Sequence, residues 1–203
     1  MVLAHRFYAK KRYDSSTVAS TTARSLDMFP HVEIGGACIF LATKITEKPR
    51  KLRDVMNVAY CVSRNTNTPV PTGPEYTTLK ESLLDAEQSV LRVIRFDMDI
   101  PLPYQYLLNY TKVLESPRLV VQIALTLTSD LFYSPRALLY APHVIAAACI
   151  YLAIELLDGD HIASRWWYRF DTSDADIAAI RDEFLQVYTD VPPTAAMDSL
   201  HPH

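Results

Sequence analysis

Thirteen prolines divide this 203-residue chain into stretches of helix length, and that placement constrains the fold more than any other feature. Proline breaks a helix interior but is tolerated in its first turn or beyond its end. The stretches 31–48, 50–63, 76–96, 104–115, 118–133, 143–158 and 174–189 each carry apolar residues at helical spacing, which predicts helices. Leu83, Leu84, Val90, Leu91 and Ile94 form the clearest buried stripe. Ser173 with Asp176 three residues on predicts a capped start for the last helix. No stretch alternates with period two, and the chain has only four glycines, which disfavours a turn-rich β fold. The expected fold class is all-α.

A hexamer repeats along the chain. Ala37-Cys38-Ile39-Phe40-Leu41-Ala42 returns as Ala148-Cys149-Ile150-Tyr151-Leu152-Ala153, with Ile34 matching Ile145. Each copy follows a proline (Pro30, Pro142) and is apolar all round, the pattern of a helix at the centre of a bundle. The chain therefore reads as two tandem helical units, 1–98 and 99–191, followed by a tail, 192–203. Phe96 to Pro103 is the linker, and 64–75 is a polar loop within the first unit.

Several functions are disfavoured. No GxGxxG or GxxxxGK[ST] loop is present to cradle phosphates, and no GxSxG or CxxC occurs. No two of the six histidines have the i, i+4 spacing of a helical zinc site, and His201 and His203 read as a solvated tail. A cysteine nucleophile would require Cys38 or Cys149 to leave an apolar stripe. The expectation is no enzyme, no metal and no cofactor. Net charge is -3, so no global positive field draws the protein to nucleic acid or an anionic membrane. The longest apolar run, Val144 to Ile154, is too short to span a bilayer, and the cysteines read as core residues of a reducing, intracellular compartment.

Two charges sit where charge is expensive. Lys44 follows Phe40 by four residues on the apolar face, and Glu87 lies between Leu83/Leu84 and Val90/Leu91. Either the two are satisfied within the chain, Glu87 pairing with Lys44 or Lys80, or they line an interface with a partner. The repeat places Glu155 where Lys44 stands in the first unit. Lys48, Arg50, Lys51 and Arg53 form an anion-binding patch or a solvated face. Trp166, Trp167 and Phe170 read as core packing, with base stacking as the alternative.

At these residues the sequence resembles the cyclin family. Ala37 to Pro49 and Leu52 to Val58 are similar to the third and fourth helices of a first cyclin box, with its LAxKxEE and RDxxNV patterns. Ala86 to Asp97 resembles the fifth helix, with its ExxxLxxLxFD pattern. Pro103 to Tyr110 and Trp166-Trp167 with Phe170 look like elements of the second box in the transcription-linked group. The spacing around the Pro-rich loop looks most like the cyclin-Q subgroup, with cyclin-K and cyclin-L close.

The resemblance implies two tandem five-helix cyclin-box repeats, the first helix shortened because His5-Arg6-Phe7-Tyr8 follows Met1 so closely, with Ser15 to Asp27 as an insertion. It implies a regulatory subunit that binds and activates a cyclin-dependent kinase as a heterodimer, nuclear or nucleocytoplasmic. Kinase-binding residues would be Lys44, Ile45, Glu87, Leu91 and Phe96. No membrane, nucleic-acid or small-molecule partner is expected. The competing readings are a TFIIB-like tandem cyclin-fold transcription factor, expected to be basic with a zinc ribbon, and a scaffold that activates no kinase.

Overall fold

A computed structural model describes residues 1–10, 30–157 and 165–190. The expected insertion at Ser15 to Asp27 and the C-terminal tail, 192–203, lie outside them. The chain divides at Ile100/Pro101 into two compact units. Described elements of both are helical, as the proline spacing predicts.

The first unit contains α1 (Val2–Lys10), α2 (Pro30–Ile45), α3 (Leu52–Arg64) and α4 (Pro74–Val93). Helix α2 packs against α1, α3 and α4. Ala37, Cys38, Phe40 and Leu41 are buried there among Met56, Leu79, Leu83 and Val90. Gly36 makes the close approach possible: a Cβ at this position would lie 3.1 Å from Leu83 Cδ1 and 3.4 Å from the Ala59 Cβ. The intrinsic cost of glycine in a helix is thereby offset by the fit of three helices at one point. The polar loop after α3 is pinned rather than loose, because Val70 is buried and its N–H donates to Asn57 Oδ1 at 3.3 Å.

The second unit contains α5 (Tyr104–Val113), α6 (Arg118–Leu131), α7 (Pro142–Leu156) and α8 (Asp174–Asp190), with 3₁₀ turns at Pro135–Leu139 and Trp166–Phe170. Helix α7 is the centre, touched by α5, α6, α8 and the Trp turn. Every residue from Val144 to Ile150 is buried. The predicted cap of α8 is reciprocal: Asp176 N–H donates to Ser173 Oγ at 3.2 Å, and Ser173 N–H returns a bond to Asp176 Oδ2 at 2.9 Å. The Ser173 hydroxyl also donates to Asp176 Oδ2 at 2.6 Å, and this bond first, then that of the Ser173 N–H, holds the Asp176 carboxyl below its ordinary range. Trp166 and Trp167 are buried core residues, with Trp167 Nε1 donating to Asp174 at 2.8 Å. Base stacking is thus excluded for this pair.

Helix ends fall short of the proline limits for a local reason. After α2, α3, α4 and α5 the chain turns through left-handed residues that are not glycine: Glu47, Asn65, Arg95 and Glu115. Each turn is closed by a backbone bond spanning five residues, such as Lys48 N–H to Thr43 O at 3.0 Å and Ser116 N–H to Thr111 O at 2.9 Å. Substitution Gly36→Val should therefore lower stability by roughly 1–3 kcal/mol through overpacking. Urea unfolding followed by circular dichroism checks this, and an unchanged midpoint would contradict the close packing.

Candidate functional site

The two misplaced charges meet. Lys44 Nζ lies 2.5 Å from Glu87 Oε1, joining the last turn of α2 to α4. Glu87 is almost fully buried, its side chain 8% exposed, whereas the Lys44 side chain is 47% exposed. The ammonium also lies 4.1 Å from the centroid of the Phe40 ring, one turn back on α2. Bond and ring contact together compensate the burial of the carboxylate. Ammonium nitrogen carries three donors, so a half-exposed Lys44 retains capacity to donate outward.

Ile45 and Leu91 are partly buried and pack against the core of this unit. Leu91 follows Glu87 by one turn of α4, so Lys44, Ile45, Glu87 and Leu91 share the seam where α2 meets α4. Phe96 differs. It lies beyond the end of α4, 63% exposed.

Its exposure follows from the backbone. Arg95 and Phe96 are both left-handed, with φ of 58° and 56°. For an aromatic residue this conformation costs about 1–2 kcal/mol. The turn is held at both ends: Phe96 N–H donates to Leu91 O at 2.9 Å, and Asp97 is gripped by Arg6. Arg6 donates through one nitrogen to the Asp97 carbonyl at 2.9 Å and through the other to its carboxylate. Helix α1 thus locks the turn that presents Phe96. Arg6 and Asp97 both lie in the motifs noted above, but no spacing rule links residues so distant in sequence.

The second unit carries a reversed counterpart. Glu155 of α7 stands 3.4 Å from Arg181 of α8, more exposed on both sides. Here too the central helix of the unit is bridged to its last helix, with the charges exchanged and without a buried carboxylate. Lys48, Arg50, Lys51 and Arg53 are all exposed before and within the first turn of α3.

The other chemistry-bearing groups are quiet. Burial pushes the Cys38 thiol up to about 11 and the Cys149 thiol up to about 12, so both stay protonated near neutral pH. Among the described residues no cluster of His, Cys, Asp or Glu is placed to hold a metal ion, and no helix is long and apolar enough to cross a membrane.

Comparison with known proteins fits this geometry. No protein-family model matches the chain. It is 35% identical over 161 residues to cyclin-L1 of Gallus gallus, covering 75% of this chain and 30% of that protein. Similarity to human cyclin-L1 is 31% over 195 residues, covering 93% of this chain and 35% of the relative. Human cyclin-K is 30% identical over 179 residues, or 81% of this chain and 30% of the relative. In fold, the chain matches one chain of the yeast RNA Pol II CTD kinase CTDK-1 complex with a TM-score of 0.72 at 17% identity, covering 93% of this chain and 57% of that one. These similarities support the transcription-linked group of the cyclin family for this chain. The chain spans about a third of the length of the curated relatives it matches.

The ion pair makes a stability prediction. Lys44→Ala leaves the Glu87 carboxylate buried without its cation and should cost about 1–2 kcal/mol, reduced from the fully buried case by solvent at Lys44. Replacing both residues by Met should recover most of that loss, because the desolvated charge is removed with its partner. Urea midpoints of the two variants decide: equal losses would show that the pair has no internal role.

Proposed function

We propose that this chain is the regulatory subunit of a cyclin-dependent kinase of the transcription-linked group, which it binds as a heterodimer and activates. The observation that carries the proposal is the surface around the α2–α4 seam, where a half-exposed lysine is oriented by a buried glutamate. Phe96, an aromatic ring displayed in solvent by a strained turn, lies past the same helix. Strain of this kind persists only where surrounding bonds over-determine it, and it concentrates at sites of recognition.

In this reading the five residues have separate roles. Glu87 fixes the position of the Lys44 ammonium, which donates to backbone carbonyls or a carboxylate of the kinase. Ile45 and Leu91 offer the exposed part of their side chains as apolar contact, and Phe96 inserts as an anchor in the manner of an interface hot spot. The resemblance implies that these groups pack on the mobile αC helix of the kinase. Docking would hold that helix inward, so that its glutamate pairs with the phosphate-binding lysine. The cyclin would supply binding energy and leave the chemistry to its partner. A nuclear location accords with the transcription-linked relatives.

Phe96→Ala tests this cleanly, because the ring is solvated and its removal leaves the core intact. The variant should keep wild-type stability while losing at least about tenfold in affinity for the kinase recovered with this protein, measured by titration of the purified partner. Undiminished affinity in a folded variant would contradict the assignment of Phe96.

A further inference from the structure

One surface of the second unit sets aromatic rings beside a carboxylate that nothing neutralises. Tyr106 and Tyr110 lie one turn apart on α5, so their rings are neighbours, with centroids 6.2 Å apart and planes at 61°. The His143 ring, in the first turn of α7, is also 6.2 Å from Tyr106, at 57°. Phe170, the last residue of the Trp turn, stacks on Tyr110 at 3.8 Å and 21°, which holds that ring in place. Tyr110, His143 and Phe170 are half-buried, whereas Tyr106 is 40% exposed. The row is thus fixed by its neighbours and open at Tyr106.

The charge comes from the residue after Phe170. Asp171 ends the Trp turn in a left-handed conformation, φ 52°, with its N–H donating to Trp167 O. That bond ties the backbone of Asp171 beside the stacked rings and leaves the residue exposed. Among the described residues its carboxylate has no hydrogen-bond or ion-pair partner. The neighbouring acids differ: Asp174 is held by Trp167 and Tyr168, and Asp176 by Ser173. The Tyr110 phenol registers the field, because burial first, then Tyr106 and the Asp171 carboxylate, push it above its ordinary range.

This combination selects among partners. An apolar group would cover the rings but desolvate Asp171 without pairing it, and an anion would be repelled. A cation is attracted both by the ring faces and by the carboxylate. Arginine fits better than lysine, since its planar guanidinium stacks on aromatic faces and is more weakly hydrated than an ammonium. We infer that the Tyr106–Tyr110–Asp171 surface binds an arginine side chain of a partner protein, the guanidinium lying on the exposed Tyr106 ring in the field of the Asp171 carboxylate. The inference is independent of the kinase assignment, which rests on residues of the first unit.

The test uses the isotope-labelled full chain, titrated with an acetylated, amidated Gly-Arg-Gly peptide and with its Gly-Lys-Gly counterpart of equal charge, and followed by NMR. Saturable shifts at the amides of Tyr106 and Asp171 are expected, with the arginine peptide at least about threefold tighter. Tyr106→Leu and Asp171→Gly should each weaken it by at least about threefold, while Tyr106→Phe, which keeps the ring face, should not. Glycine adopts the left-handed conformation of Asp171 freely, and Tyr106 is exposed, so both weakening variants should melt within about 2 °C of wild type. Absence of saturable shifts, equal affinity for the two peptides, or full affinity in Tyr106→Leu or Asp171→Gly would overturn the inference. So would a fall of more than about 5 °C in Tyr106→Leu, which would assign the ring to the packed core instead of a binding surface.

Discussion

Each unit is organised around the burial of one apolar helix, α2 in the first and α7 in the second, and the other elements are placed by the need to surround it. Full burial of an Ile or Leu side chain contributes about 1.5–3 kcal/mol, so a helix such as α7, buried continuously from Val144 to Ile150, dominates the stability of its unit. That requirement also sets what each helix can carry. Small residues at Gly36, Ala37, Ala146, Ala147 and Ala148 let neighbours approach closely; α2 carries no charge between Glu33 in its first turn and Lys44 in its last, and α7 carries no Asp, Glu, Lys or Arg before Glu155.

The last turn is where the units diverge. Lys44 closes α2 and reaches a buried carboxylate on α4, while Glu155 near the end of α7 meets Arg181 on α8 in a more solvated pair. Burial of Glu87 makes the first pair stiff, because moving the lysine away would strand a charge in a medium of low dielectric. A stiff, half-exposed cation is a better recognition element than a mobile one, since less side-chain entropy is lost when a partner binds it. The Arg6 grip on Asp97 extends the same logic to the turn bearing Phe96, where the bonds of α1 sustain a left-handed aromatic.

Much of this was legible in the residues alone. Prolines and apolar stripes located α2 through α8, and Ser173 with Asp176 marked the start of α8. The cost of burying charge singled out Lys44 and Glu87 and allowed for their pairing. What escaped had physical causes. Helix α1 is nine residues long, bounded by no proline, and buries only Leu3 and Phe7, too little for a periodic signal. The Trp166–Phe170 turn has no helical period to read. Left-handed turns at Glu47, Arg95 and Glu115 lack the glycine that would announce them, so helix ends were read as running on. The exposure of Ile39 was hidden by its identity with Ile150: the same residue in the same hexamer is buried or solvated according to what packs on it.

Affinity purification of the tagged full chain from its own cells, with partners quantified by mass spectrometry, tests the central claim most directly. The account predicts one protein kinase at about one-to-one stoichiometry. Recovery with promoter-bound transcription factors and no kinase, or recovery of the chain alone, would contradict it.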